Sequence, residues 1–217
     1  METYVIRQCQ NDDCRFRFPS PAEAEHMAVC LKCEAATAVT HTPHHTISAN
    51  NTPSSGRLQI QLLLDNIRSI YNVGSIFRTA DGAGITHLHL CGITATPDNP
   101  KMAKTALGAD SGMGWSYSKN GWDTAVALQK QGCQLWALEN TSQAQSLFTT
   151  LIPSFPCPLV LIIGNEKAGV DPAILTLCDR VVSLPMLGIK ESLNVAIALS
   201  IAVYHFQFAH FAEYFSV

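Results

Sequence analysis

From Leu58 onward the chain alternates between short apolar runs and polar, turn-rich breaks. LQIQLLLDN (58–66), THLHLCG (86–92), CQLWALEN (133–140), PLVLIIGNE (158–166) and RVVSLPM (180–186) each predict a strand. Helical spacing lies between them, around 73–83 and in TAVALQKQG (124–132), the latter stopped by Gly132. DPAILTLC (171–178) opens with Asp at the N-cap and Pro at the first helical position. Strands separated by helices, several apolar on both faces, predict an α/β fold: a mostly parallel sheet with helices on both sides. A last helix from Leu193 sets Leu193, Ile197, Ile201, Tyr204, Phe208, Phe211 and Phe215 along one side. Ala196, Ala198, Val203 and Phe206 fall elsewhere on its circumference. More than one face therefore needs cover, from a subunit partner or from a large single core.

The region before Leu58 has a different pattern. Residues 35–57, AATAVTHTPHHTISANNTPSSGR, have almost no large apolar residue and read as a linker. This predicts three parts: a module at 1–34, the linker at 35–57 and a main domain at 58–217. Four of the eight cysteines, Cys9, Cys14, Cys30 and Cys33, crowd into the module as C-x4-C and C-x2-C. That spacing suits four thiolates on one structural zinc ion; a redox dithiol at Cys30/Cys33 and an iron–sulfur site are the alternatives. The module is too short to fold on its own core, which favours a metal that contributes folding energy. Cys91, Cys133, Cys157 and Cys178 are single, in or beside apolar runs, and read as buried inert thiols. Arg7, Arg15, Arg17 and Lys32, with Phe16 and Phe18, either contact RNA by charge and stacking or simply pack and solvate the module.

Composition narrows the classes. With 217 residues, 47% hydrophobic and 14% charged, the chain is too apolar and too weakly charged for disorder. The net charge of −3 argues against broad electrostatic binding of nucleic acid. Contact with RNA must come from local clusters, and Arg7, Arg15 and Arg17 form the densest one. The first apolar run, Tyr4 to Ile6, is too short for a signal peptide. The stretch from Leu193 to Ala212 is broken by Asn194, Ser200, His205, Gln207 and His210, as in a buried helix of a soluble protein. A cytoplasmic protein is expected.

GNEKAG (164–169) follows an apolar strand, where ligands commonly sit. It is no phosphate-binding P-loop, because Val170 and Asp171 stand where Lys and Ser or Thr are required. No G-x-G-x-x-G follows a strand either; GADSGMG (108–114) has another spacing. What remains is a loop whose bare backbone suits a neutral or zwitterionic cofactor. Three clusters, NVGSIFRTADGAG (72–84), LVLIIGNEKAGV (159–170) and VVSLPMLGIKESLNVAIALSIAVY (181–204), each place polar residues at a strand-to-helix junction or helix start. They supply Asn72 and Arg78, then Asn165 and Glu166, then Ser192 and Asn194. Taken singly, each has a plain reading as a cap, a surface ion pair or a solvated loop charge.

Together and in this order, the clusters resemble the three motifs of the TrmH (SpoU) family of SPOUT methyltransferases, over about residues 58–206. The resemblance implies transfer of a methyl group from S-adenosylmethionine to a ribose 2′-hydroxyl of tRNA or rRNA. It implies a deep trefoil knot in the C-terminal third and a homodimer through the knot and last helix. The cofactor would lie bent in the knot at Glu139, Asn140, Ile163, Gly164, Gly169, Leu184, Met186 and Leu193. Arg78 would be the catalytic arginine, with Asn72, Glu166, Ser192 and Asn194 orienting it and the ribose. A guanidinium is not deprotonated in proteins, so an electrostatic clamp suits Arg78 better than a general base. Asp81, three residues on, is either its ion-pair partner or half of an ordinary surface pair. The four-cysteine module resembles a zinc-ribbon extension, with Glu34 where such knuckles often carry Gly. Competing readings are a catalytically silent RNA-binding protein on the same fold and a SPOUT enzyme that methylates a base.

Overall fold

A computed structural model describes residues 3–42, 58–151 and 158–208. The chain divides into two compact units, Met1–Pro53 and Ser54–Val217. Residues 43–57 of the expected linker, and Cys157, Phe211 and Phe215, lie outside the described residues.

In the first unit, β1 (Tyr4–Cys9), β2 (Arg17–Pro21) and β3 (Thr37–His41) form an antiparallel sheet in the order β2-β1-β3. Among the described residues its buried apolar side chains are Val5, Phe18, Cys9 and Cys30, too few to hold a fold by burial alone. Arg15 (φ 48°) and Glu34 (φ 60°) take left-handed conformations directly after Cys14 and Cys33. That conformation explains why glycine suits position 34; glutamate there costs local strain. The linker reading needs correction at its start. Thr37–His41 pairs with β1, and the Thr37 hydroxyl donates to the carbonyls of Met27 and Ala28. The Thr- and Val-containing composition read as a linker is also a strand composition once a partner edge exists.

The second unit runs β4 (Ile60–Asp65), α1 (Ile70–Gly82), β5 (His87–Cys91), α2 (Met102–Ala106), α3 (Ala109–Gly112), β6 (Trp115–Ser118), α4 (Gly121–Lys130), β7 (Gln134–Leu138), β8 (Gln145–Ser146), β9 (Leu159–Ile163), α5 (Pro172–Leu175), β10 (Arg180–Ser183) and α6 (Val195–Phe208). Seven strands form one sheet in the order β6-β5-β4-β9-β7-β10-β8, each pairing parallel. Central β9 is apolar throughout, and β4 is apolar apart from Gln61 and Asp65, because both of their faces are covered. On one face Leu62, Leu64 and Leu161 meet Ile76 and Phe77 of α1 and Leu199, Val203 and Phe206 of α6. On the other, Leu63, Val160 and Ile162 meet Ala125 and Leu128 of α4 and Ile174 of α5.

Caps set the helix starts. Ser69 accepts from Asn72 N at α1, Asn120 from Trp122 N and Asp123 N at α4, and Asp171 from Ala173 N at α5. The Asn120 cap starts α4 three residues before the apolar spacing does. The last helix begins at Val195, capped by Asn194, so Leu193 lies outside it. No described helix is long and apolar enough to cross a membrane.

Candidate active site

Strand order turns outward in opposite directions on either side of β4 and β9, and ligand crevices form beyond the carboxyl ends of strands at such a switch. A cleft of about 310 Å³ lies at the ends of β7, β9 and β10 beside the start of α6. Its floor is the loop after β9, closed by Asn165 N to Gly169 O (2.9 Å) and Gly169 N to Asn165 O (2.8 Å). A Cβ at Gly164 would strike the backbone of Gly169 and Val170, so packing requires glycine there. Gly169 has φ +74°, which favours glycine for a different reason. Glu139 braces this loop, accepting Val170 N at 2.9 Å and Asn140 N at 3.0 Å. Asn140 Nδ2 donates to Glu191 O at 2.8 Å, tying the end of β7 to the segment before α6. Glu139, Asn140, Ile163, Gly164, Gly169, Leu184, Met186 and Leu193 all line the cleft, and so does Ser192.

Beside the cleft, three residues remote in sequence meet. The Glu166 carboxylate accepts Arg68 N and Ser69 N, each at 2.9 Å, and Asn72 Nδ2 at 2.8 Å. Asn72 Oδ1 accepts from Asn194 Nδ2 at 3.0 Å. Asn194 Oδ1 in turn caps α6, accepting Ala196 N at 2.9 Å. Partial burial raises the Glu166 carboxyl, but the donors of Arg68, Ser69 and Asn72 outweigh it and hold the group below its ordinary range. The loop after β9, the start of α1 and the start of α6 are thus locked to one ionised carboxylate.

Arg78 is not part of this network. It lines a second recess, about 490 Å³, with Asp81, Leu107 and Gly108, and has no hydrogen bond or ion pair among the described residues. The ion pair with Asp81 is absent; both side chains are exposed, where such a pair is worth only a few tenths of a kcal/mol. Neither Asn72, Glu166 nor Asn194 hydrogen-bonds to Arg78, and Ser192 has no side-chain partner among the described residues.

A match to the SpoU rRNA Methylase family model spans residues 59–204. The chain belongs to the SpoU rRNA methylase family. It is 33% identical over 195 residues to 23S rRNA (guanosine(2553)-2′-O)-methyltransferase RlmP of Bacillus subtilis, covering 87% of this chain and 76% of that one. It is 27% identical to the tRNA (guanosine(18)-2′-O)-methyltransferase of Escherichia coli K12 over 68% of this chain, and spans 62% of that relative. A solved structure, the AdoMet-bound rRNA methyltransferase from Sinorhizobium meliloti, superposes with a TM-score of 0.64 at 26% identity. That superposition covers 71% of this chain and 57% of the neighbour.

The SpoU match leaves the four-cysteine unit outside its bounds. There the Sγ atoms of Cys9, Cys14, Cys30 and Cys33 all lie within 4.8 Å of one another. Cys9 and Cys33 are 3.5 Å apart and Cys14 and Cys30 3.8 Å. Four sulfurs about 2.3 Å from a tetrahedral zinc would be about 3.8 Å apart, so the quartet fits that ion. Asn11 N and Lys32 N donate to the sulfurs of Cys9 and Cys30, each at 3.4 Å, which suits thiolates.

Sequence reasoning missed the backbone half of the SpoU site. Arg68 and Ser69 act on Glu166 through N–H groups, which carry no side-chain signal. Glu191 acts through a carbonyl oxygen. The signal within reach was Ser69, an N-cap residue directly ahead of a helical run.

Proposed function

We propose that this chain transfers a methyl group from S-adenosylmethionine to a ribose 2′-hydroxyl of tRNA or rRNA. One observation carries the reading: a glycine-floored cleft at the strand ends, bordered by the Glu166–Asn72–Asn194 network. The two named relatives act on guanosine in RNA, and the Sinorhizobium meliloti neighbour carries AdoMet. The cleft fits that cofactor. Leu184, Met186 and Leu193 offer apolar cover for an adenine, and the Gly164 and Gly169 loop offers backbone groups without obstructing side chains. Glu139 and Glu191 give an acidic rim suited to a cationic ligand.

When bound, the cofactor supplies an electrophilic methyl group on a sulfonium. The residues of this chain supply position and charge. Asn72 and Asn194, fixed through Glu166, orient the ribose, and Ser192 adds a free hydroxyl. Arg78 clamps the adjoining phosphate and stabilises alkoxide charge as it develops; the proton passes to a phosphate oxygen or water. Arg78→Ala is expected to abolish methyl transfer in a labelled-cofactor assay while cofactor affinity, read by calorimetry, stays within about twofold. Arg78→Lys rescues poorly, because a point charge cannot reproduce the guanidinium fork. Near-normal turnover in either variant, or cofactor binding absent from the native protein, refutes the reading.

The finer architecture belongs to the same proposal. The C-terminal third threads a deep trefoil knot, a reading supported by membership of the SpoU family. Two copies pair through α6, whose Ile197, Ile201, Tyr204 and Phe208 are exposed. The cysteine quartet holds one structural zinc ion, and the first unit, joined by a linker running to residue 57, adds Arg7, Arg15 and Arg17 to RNA binding.

A further inference from the structure

The recess around Arg78 holds a group that the roles above leave idle. Asp81 lies three residues further along α1, and both charges are without partners among the described residues. The rest of the lining includes Leu107, Gly108 and Gly112. Leu107 (φ 52°) and Gly108 (φ 90°) are consecutive left-handed residues, a conformation unfavourable for leucine, and the Leu107 side chain is 67% exposed. A Cβ at Gly112 would meet nothing within 4 Å, and its φ is not in the left-handed range. Neither packing nor backbone conformation requires glycine at 112; the missing side chain keeps the recess open. Its volume, about 490 Å³, falls within the range of small-ligand sites, about 300–1,000 Å³.

We propose that this recess receives the nucleobase of the methylated nucleotide and that Asp81 selects guanine. The inference rests on the methyl-transfer reading and deepens it. An ionised carboxylate only accepts hydrogen bonds, through two oxygens. Guanine alone among the four bases presents two adjacent donors on its Watson–Crick edge, N1–H and the 2-amino group, matching both oxygens. Adenine and cytosine place an acceptor nitrogen beside their amino group, and uracil flanks one N–H with two carbonyls, so each sets a lone pair against the carboxylate. Leu107 covers one face of the ring, as apolar and aromatic side chains do for splayed-out RNA bases. Gly108 and Gly112 let the ring approach the backbone, and Arg78 holds the phosphate of the same nucleotide. The two curated relatives named above act on guanosine, the nucleoside this chemistry selects.

The test follows label from S-adenosylmethionine into unmodified tRNA and rRNA transcripts, digested to nucleosides and resolved by mass spectrometry. The native protein is expected to yield 2′-O-methylguanosine. Asp81→Asn should lower kcat/KM by about tenfold or more, the loss expected when a hydrogen bond to a charged group is removed. Transcripts with inosine for guanosine, which keep N1–H and lose the amino group, should cost the native protein a smaller factor and Asp81→Asn almost none. Gly112→Val, which fills the recess, should raise KM for RNA without changing cofactor affinity. In parallel, GMP and AMP are titrated by NMR, with GMP expected to bind selectively in an Asp81-dependent way. Label spread over several nucleosides, an unchanged Asp81→Asn, or equal binding of GMP and AMP overturns the assignment. Selective GMP binding without any methyl transfer would instead sink the methyl-transfer reading and leave guanine recognition standing.

Discussion

Asn194 serves two structures through two atoms: Oδ1 caps α6 and Nδ2 donates to Asn72. Substitutions separate these duties. Asn194→Ala loses both, and the missing cap alone costs about 0.5–2 kcal/mol, which lowers the melting temperature by several degrees. Asn194→Asp keeps the cap but sets a carboxylate oxygen against Asn72 Oδ1. Thermal unfolding should therefore find Asn194→Asp near native stability, while the methyl-transfer assay finds it strongly impaired. Full activity in Asn194→Asp would show that the Asn72 contact is incidental. At this scale the sequence is legible where a side chain does the work. Glu166 stands out as a charge just after an apolar strand, and Asn72 and Asn194 as polar residues at helix starts. The N–H groups of Arg68 and Ser69 do not, because any residue but proline there brings the same donor. Arg78 was legible as a residue but not as a neighbour, since its recess is made by the turn at Leu107 and Gly108.

Among the elements, β5 carries a cluster of polar side chains shared with β4 and β6. His89 Nε2 lies 2.8 Å from Gln61 Oε1, and Ser116 Oγ lies 3.1 Å from both His89 Nδ1 and His87 Nε2. Burial, then the neighbouring His87, brings His89 down to about 4; burial lowers His87 too. Both rings line a recess with Asp123 of α4. The folded state keeps His89 neutral, whereas an unfolded histidine titrates near about 6.5. Its contribution is thus complete above about pH 6.5, is lost as pH falls towards 4, and is level below that. The ring is partly exposed, so screening leaves an effect on the order of 1 kcal/mol. Urea midpoints should drop between pH 7 and pH 5 by more in the native protein than in His89→Gln. Equal drops would place the acid sensitivity elsewhere. The same contrast explains which elements the sequence reveals. Apolar β4, β7 and β9 announce themselves, whereas β6 (WSYS) and β8 (two residues) are strands only because a paired edge waits for them. The strands β1 to β3 hide in a stretch where cysteine spacing outweighs alternation, and α2 and α3 are too short to show a period.

For the whole molecule, periodicity correctly gave α6 two apolar sides, and the structure sorts them. Ala196, Val203 and Phe206 are buried against the sheet, with Phe206 edge-on to Trp136 at 5.5 Å. Leu193, Ile197, Ile201, Tyr204 and Phe208 are exposed together. Ile197→Asp should leave the fold intact, since the residue is 55% exposed, and shift sedimentation from dimer to monomer at micromolar concentration. A native monomer would end the dimer proposal. The two units answer separately to metal, because each is compact by itself. With Val5, Phe18, Cys9 and Cys30 as its buried apolar side chains among the described residues, the first unit depends on four thiolates meeting one ion. Structural zinc contributes about 10 kcal/mol or more to such folds. Cys30→Ser, or a strong chelator, should therefore release about one zinc per chain and unfold the antiparallel sheet. The parallel sheet of the second unit should retain its thermal transition and its cofactor affinity, while RNA affinity and its salt dependence fall with the loss of Arg7, Arg15 and Arg17 as an ordered set. If iron is found in protein purified without chelator, or if the Cys30→Ser sheet stays folded without metal, the zinc assignment fails. If RNA affinity is unchanged after the unit unfolds, its arginines are solvated charges and the RNA surface lies wholly in the second unit.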